Sequence, residues 1–188
     1  GDLASTEDLK DTITVDNTRV NILAILFVFV ILVFNFKSIT LPVLLTLVIE
    51  LSIWINLSVP YFQSTTLHYI GYLIISSVQL GATIDYAILL TGRYLEERKT
   101  RKRKEASTES IRVCILSLFT SSIILTIAGA VLGKISTNLV LSQLGTLVGR
   151  GAVISFVLVL FVLPAILMIF DKIIEKTTMK TQFYQSGK

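Results

Sequence analysis

Residues 139–170 read LVLSQLGTLVGRGAVISFVLVLFVLPAILMIF, an apolar stretch in which Arg150 is the one charged residue. About 20 apolar residues in a helix are enough to cross the hydrocarbon core of a bilayer. The buried helices of a soluble protein usually keep a polar face towards water. This stretch has no such face, so the sequence predicts a membrane-spanning helix.

Four more apolar blocks precede this stretch, at residues 20–36, 41–59, 67–95 and 111–132. Charged residues make up 16% of the 188-residue chain and apolar residues 53%, whereas a soluble domain carries about a quarter charged residues. The five blocks predict an all-α membrane protein, a bundle of five transmembrane helices over residues 20–171.

The lysines and arginines predict the orientation of this bundle, because connections rich in them stay in the cytoplasm. Residues 96–110 form a basic connection, and residues 172–188 form a tail with four lysines. Two crossings separate them, so we expect both on the cytoplasmic side and residues 1–19 as an extracytoplasmic lead-in. An outward N-terminus without a signal sequence needs an upstream helix to carry it across, so we expect a longer protein.

Three charged side chains fall well inside the apolar blocks, away from the block ends: Glu50, Asp85 and Arg150. Such residues are costly in a bilayer and usually mark a functional site or a partner. At 1.5 Å per residue, Asp85 lies about 12 Å and Glu50 about 15 Å from the cytoplasmic end of their helices. Arg150 lies about 30 Å from that end, near the outer rim. An ion pair between Asp85 and Arg150 is therefore not expected.

The surroundings of Asp85 are predicted to be small and polar. Ser77, Gly81 and Asp85 recur every four residues and share one face of their helix, and small residues there let another helix approach. Two hydroxyl side chains of the fourth block, Thr120 and Ser121, lie at about the same depth, and Ser117 extends this hydroxyl-bearing stretch. We therefore expect Asp85 to face a helix interface formed partly by the fourth block.

The chemistry of Asp85 has two interpretations. A low dielectric constant disfavours a charged carboxylate, so a carboxyl there that gains and loses a proton as its surroundings change would meet the requirement of a proton-coupled transporter. Tyr86 points about 100° around the helix, where it could hydrogen-bond another helix. The alternative is a structural carboxyl satisfied by hydroxyl groups, an interpretation that is stronger for Glu50.

Other function classes lack their residues in this sequence. One cysteine and one histidine leave no ligand set for a zinc site, and no nucleophile–base pair or glycine-rich phosphate loop is evident. We therefore expect no enzyme activity, no metal and no cofactor. The net charge of +4 comes from local basic runs, so a nucleic acid is not an expected partner.

Residues 81–98, GATIDYAILLTGRYLEER, resemble the fourth-helix motif of the MMPL transporters, a branch of the resistance–nodulation–division (RND) superfamily. In that motif an Asp-Tyr pair precedes a basic cytoplasmic loop. Residues 8–20 resemble the segment that returns from the family's outer domain to the membrane. Residues 143–172 resemble the last helix of a family half, including the Gly-Arg-Gly run and Pro164.

The resemblance implies the C-terminal membrane half of a proton-motive-force-driven exporter of lipids or hydrophobic compounds in a bacterial cell membrane. It implies a proton relay from Asp85 and Tyr86, with a second pair from another half of the same or another chain. Supporting polar positions are Ser117, Thr120, Ser121 and Gly81, and secondary candidates are Glu50 and Arg150. Expected partners are protons, membrane lipids, a hydrophobic substrate and the second half.

The same five-helix unit also resembles sterol-sensing domains, which supports a different interpretation. The chain would then be a non-transporting lipid-binding or scaffold subunit. Such a subunit would keep its function after Asp85→Asn and lose it when the face with Ser77 and Gly81 is made bulky.

Overall fold

The computed structural model describes residues 2–62, 69–178 and 183, with side chains from 19 to 62, from 74 to 178 and at 183. The chain forms α1 (Asp2–Phe36), α2 (Thr40–Phe62), α3 (Tyr69–Arg98), α4 (Arg103–Ile135) and α5 (Leu139–Val157), then a π-helical turn (Leu158–Val162), α6 (Leu163–Ile169) and α7 (Asp171–Thr177). Five of these stretches are long and apolar enough to cross a membrane, the last running from α5 through α6. The predicted all-α, five-helix fold is confirmed.

The outside of the bundle is apolar, as a lipid-facing surface must be. Large side chains such as Phe34, Leu116 and Trp54 are 78%, 75% and 68% exposed. A soluble monomer rarely exposes apolar patches larger than a few hundred Å². Hydrocarbon rather than water is therefore the solvent that suits this surface.

Helices continue into two segments that were predicted as connections. The lead-in is helical from Asp2 onwards, and only residues 99–102 separate α3 from α4 within the predicted basic loop 96–110. Ion pairs such as Arg101 to Glu97 and to Glu109 offset the charge there, and a helix can extend past the hydrocarbon into water. The predictions for residues 63–68, and for the tail after 178 except residue 183, lie outside the described residues.

Helices α4 and α5 form an antiparallel hairpin whose axes approach closely through glycine. Gly129 and Gly133 on α4 face Gly145 and Gly149 on α5, and a Cβ on Gly129 would lie 2.5 Å from the backbone nitrogen of Gly149. In lipid, where apolar surface does not drive association, small residues provide the close contact that holds helices together. Among the described residues, this is the helix pair in which glycine meets the backbone of the partner helix.

The break between α5 and α6 has a local cause in the sequence. Pro164 has no N–H to bond the carbonyl of Leu160, and its ring clashes with the preceding turn. The helix widens before it, so that the N–H of Leu163 bonds the carbonyl of Leu158 five residues back. The candidate membrane span continues through this break, from Leu139 to Ile169.

Helix α3 lies against α1, α2, α4 and α5, and its buried side supplies much of the core. Ala87, Leu90 and Tyr94 are at most 1% exposed and belong to the main apolar cluster. We call the end where α3 passes into α4 the basic end and the opposite end, where α4 turns into α5, the hairpin end.

Candidate functional site on helix α3

One side of α3, which we call the open face, is not covered by any described helix. Its residues Ser77, Gly81 and Asp85 follow one another at four-residue spacing and are all exposed. No described atom lies within 4 Å of the position that a Cβ on Gly81 would take. The close helix contact predicted at Gly81 is therefore not made within the described part of the chain.

Asp85 lines a groove of about 450 Å³ between α3 and α4. Tyr86 contributes from α3, and Ser117 and Ser121 contribute from α4, while the remaining lining is apolar. The Asp85 carboxylate forms no hydrogen bond or ion pair with a described residue. The groove thus brings together a carboxyl, a phenol and two hydroxyls, as expected from their depths.

Thr120 does not belong to this group, although depth placed it there. Its side chain is exposed and its hydroxyl donates to the carbonyl of Leu116, 2.7 Å away within α4. Ser117 and Ser121 are four residues apart and share a face, whereas Thr120 precedes Ser121 by one residue and so points about 100° away. Depth along a helix is readable from sequence, but the direction of a side chain depends on which neighbour the helix packs against.

Tyr86 is 7% exposed and packs into the main apolar cluster beside the groove. This position fixes the ring, because a buried aromatic side chain has few rotamers open to it. The phenol of Tyr86, the residue after Asp85, is therefore fixed at the groove that Asp85 also lines.

The opposite side of α3, which we call the closed face, holds a hydrogen-bonded cluster that the sequence analysis missed. Gln79 donates to the hydroxyl of Ser52 on α2 over 2.9 Å, and Thr83 shares a hydrogen bond of 2.6 Å with Ser155 on α5. Ser52 and Ser155 are themselves 2.8 Å apart. All four residues are at most 4% exposed, so this cluster ties three membrane helices together in their interior.

Arg150 joins the same cluster through Asn56 of α2. Its Nε donates to the side-chain oxygen of Asn56 over 2.7 Å and its terminal nitrogen to the backbone oxygen of Asn56 over 2.9 Å. Asn56 in turn donates to Gln79 over 2.7 Å. Arg150 thus binds a neighbouring helix of the same bundle. It does not pair with Asp85, which agrees with the depths predicted for the two residues.

Glu50 lies apart from both groups. It is half-buried on α2 and forms no hydrogen bond or ion pair with a described residue. It does not line the groove of Asp85. The structure therefore gives Glu50 no role in either cluster.

A second buried polar group, which we call the clasp, closes the basic end. Arg98 of α3 makes two parallel hydrogen bonds of 2.8 Å to the carboxylate of Asp171 at the start of α7, and Tyr94 donates to the same carboxylate over 2.7 Å. The ring of Phe183 lies 4.6 Å from the guanidinium carbon. Sequence spacing offers no sign of this contact, since 73 residues separate Arg98 from Asp171.

The residues of the closed-face cluster could be recognised in the sequence as amide and hydroxyl side chains within the apolar blocks. Buried polar groups in a membrane must find partners, since lipid offers none. The sequence alone cannot pair them, because pairing depends on helix rotation and on which helices are neighbours.

The two faces of α3 differ in what their chemistry can do. Each polar side chain named on the closed face has hydrogen-bond partners inside the bundle, so it holds the helices in register. Asp85 has no such partner and opens into a groove where a proton or a further residue can reach it. The fold and the site together define a polytopic α-helical membrane protein with an accessible carboxyl, Asp85, inside the apolar part of its central helix.

The sequence model of the MMPL family matches residues 1–186, and the chain belongs to this family. It is 27% identical over 179 residues to the trehalose monomycolate exporter MmpL3 of Mycobacterium tuberculosis, which covers 94% of this chain and 19% of that protein. It is 26% identical over 170 residues to the putative membrane protein ActII-3 of Streptomyces coelicolor, covering 88% of this chain and 24% of that protein.

The chain therefore spans about a fifth to a quarter of the length of these curated relatives. No solved structure matches the chain significantly. The family membership confirms the resemblance drawn from residues 81–98.

Proposed function

We propose that the chain forms part of the membrane domain of a proton-driven exporter of lipids or other hydrophobic molecules. Asp85 carries the proton, and Tyr86 acts as a hydrogen-bonding partner in the relay. The observation that carries this proposal is the open carboxyl of Asp85, which lines a groove of about 450 Å³ yet has no partner among the described residues.

A second set of helices, from the same polypeptide or from another copy, covers the open face of α3 in this proposal. The absence of any described atom near Gly81 leaves room for a helix to approach closely there. Protonation of Asp85 removes a charge from that contact, and loss of the proton restores it. The change in charge then biases the two sets of helices between two arrangements.

In the membrane, the basic end faces the cytoplasm and the hairpin end faces outwards. This orientation follows from the cluster of lysines and arginines between α3 and α4, since such connections are retained in the cytoplasm. In this orientation, Asp85 would take up a proton from one side of the bilayer and release it towards the other.

The class of cargo is supported by one relative and by the surface of the chain. MmpL3 is named as an exporter of trehalose monomycolate, which is a lipid. Two exposed apolar side chains, Leu89 and Ile124, line the groove of Asp85, so a hydrophobic molecule dissolved in the bilayer would meet an apolar surface there. We propose transport without covalent chemistry on the cargo, so that the chain acts as a carrier and not as an enzyme.

The decisive experiment replaces Asp85 by Asn in the protein as its gene encodes it. Efflux of Nile red, a fluorescent hydrophobic probe, is followed from energised cells, with and without an uncoupler that collapses the proton gradient. We expect Asp85→Asn to reduce efflux to the level of uncoupled cells, because asparagine keeps the shape and cannot bind and release a proton. Asp85→Glu is the matched variant that keeps the carboxyl, and we expect it to retain part of the efflux.

Thermal unfolding of the purified protein separates transport from folding. Asp85 has no described partner, so Asp85→Asn should leave the unfolding temperature unchanged. Full efflux in this variant would overturn the proposal and favour the lipid-binding or scaffold subunit. That alternative rests on the same open face, and it would be supported if only bulky replacements at Ser77 and Gly81 were harmful.

A further inference from the structure

A second groove, which we call the hairpin groove, lies between α4 and α5 towards the hairpin end, and its volume is about 270 Å³. It is lined by two basic residues, Lys134 and Arg150, and by the hydroxyl residues Thr126 and Thr146. None of these four lines the groove of Asp85. The hairpin groove is thus a separate, positively charged feature of the bundle.

The guanidinium of Arg150 is held in place by α2. Its Nε and one terminal nitrogen donate to Asn56, over 2.7 and 2.9 Å, and Asn56 is fully buried and bonded to Gln79. The other terminal nitrogen has no described acceptor and is not among the enclosed unpartnered atoms, so it is accessible. Arg150 therefore presents N–H donors from a position that is fixed before any ligand binds.

The charge of the hairpin groove is not balanced within the described residues. Neither Lys134 nor Arg150 forms an ion pair with a described carboxylate. The partner of Arg150 is a neutral amide, which satisfies hydrogen bonds without compensating the charge. A cation held at membrane depth is costly unless a counter-charge accompanies it.

The surface below the hairpin groove suits a hydrocarbon chain. Two exposed valines, Val153 and Val157, follow Arg150 at helical spacing along the same side of α5. On α4, Ile127 is 58% exposed near the same level. A molecule with an anionic head at the two basic residues and an apolar tail along these side chains would cover both surfaces at once.

We infer that the hairpin groove binds the phosphate headgroup of an anionic membrane lipid, with Arg150 and Lys134 as its ligands. The planar guanidinium donates hydrogen bonds to phosphate oxygens, while the flexible lysine adds a point charge from the end of α4. The lipid neutralises the groove and bridges α4 and α5 where glycine contacts already hold them together.

The experiment uses the protein as its gene encodes it, purified in detergent and stripped of lipid. It is titrated with dioctanoyl phosphatidylglycerol, with the zwitterionic dioctanoyl phosphatidylcholine, or with inorganic phosphate alone. Bound lipid is counted by native mass spectrometry, and thermal unfolding follows each titration. The variants are Lys134→Gln and Arg150→Gln, with Lys37→Gln as the matched control, because Lys37 is exposed at the opposite end.

We expect phosphatidylglycerol to bind and stabilise more than phosphatidylcholine. Lys134→Gln should weaken its binding about fivefold, the usual effect of one basic residue near a lipid surface. Arg150→Gln should weaken it at least about tenfold, because a charge-assisted hydrogen bond is also lost. Lys37→Gln should leave the affinity unchanged.

Three results would overturn the inference. The first is equal binding of the two lipids, and the second is an equal loss in the Lys37 and Lys134 variants, which would indicate general attraction to basic surface. The third is a stabilisation by inorganic phosphate as large as that by phosphatidylglycerol, which would assign the groove to the free anion. If Arg150→Gln does not fold, the comparison of lipid binding between Lys134→Gln and Lys37→Gln still tests the inference.

Discussion

The two faces of α3 form the most informative comparison in the molecule. On the closed face, Gln79 and Thr83 are buried and fully engaged with α2 and α5, and the clasp at Arg98 secures the end of the helix. On the open face, Asp85 is exposed and has no described partner. The same helix thus carries neutral polar side chains on the side that bonds to α2 and α5, and an acidic side chain on the side that no described helix covers.

This difference separates polar groups that have partners inside the bundle from one that has no described partner. A polar group in a membrane is tolerated when its hydrogen bonds are satisfied, and the closed face meets that condition with residues of this chain. The open face does not meet it. Any partner of Asp85 lies outside the described residues.

Breaking the clasp should have the largest effect on stability. Asp171→Asn removes the carboxylate charge that accepts two hydrogen bonds from the buried guanidinium of Arg98, and removing one partner of a buried ion pair costs about 3–5 kcal/mol. The measurement is the free energy of unfolding in mixed detergent micelles.

The matched control for the clasp is Arg93→Ala. Arg93 pairs with Glu96 and Glu97 on the same helix, and its side chain is 38% exposed. The pair with Glu96 is exposed, and Glu97 keeps its ion pair with Arg101, so we expect a loss of about 0–1 kcal/mol. A loss as small for Asp171→Asn as for Arg93→Ala would mean that the clasp does not hold α3.

Glycine positions test the two faces with the same substitution. Gly145→Leu should cost about 1–3 kcal/mol or prevent folding, because overpacking forces the backbones of α4 and α5 apart and even a Cβ at this site meets the backbone of Gly133. Gly81→Leu should cost less than Gly145→Leu, since a Cβ at Gly81 meets no described atom within 4 Å and only the contact with the second set of helices would be disturbed.

Transport separates these two glycine variants again. Gly81→Leu should abolish the efflux of Nile red if a second set of helices packs against the open face. A folded Gly81→Leu variant with full efflux would show that this face remains exposed to lipid in the working protein.

The smallest effect is expected from a single hydroxyl of the closed face. Thr83→Val keeps the shape and removes the hydrogen bonds to Ser155 and to the carbonyl of Gln79, at a cost of about 1 kcal/mol. Ser77→Ala, on the open face, should cost nothing measurable in the same unfolding assay. Equal costs for the two variants would remove the distinction between the faces.

Much of the site was predictable because it depends on position along a single helix. The apolar block around Asp85, its depth and the four-residue spacing of Ser77 and Gly81 follow from helix geometry alone. The common groove with Ser117 and Ser121 also followed from depth. Thr120 was misplaced because depth does not specify direction.

The closed-face cluster and the clasp were not predictable from local pattern. Asn56 and Arg150 are 94 residues apart, and Tyr94 and Asp171 are 77 residues apart. No spacing rule within one helix connects such residues. Their pairing depends on the rotation of each helix and on the order in which the helices pack around α3.

The sequence by itself determined that this chain is a five-helix membrane protein of the MMPL family with one acidic residue inside its third apolar block. It could do so because hydrophobic length and helical period are local properties, which a bilayer imposes on each segment separately. Only the tertiary structure decided that Gln79, Asn56 and Arg150 are engaged while Asp85 remains open. The physical reason is that hydrogen bonds between helices are set by their mutual rotation, which close glycine packing and burial determine for the bundle as a whole.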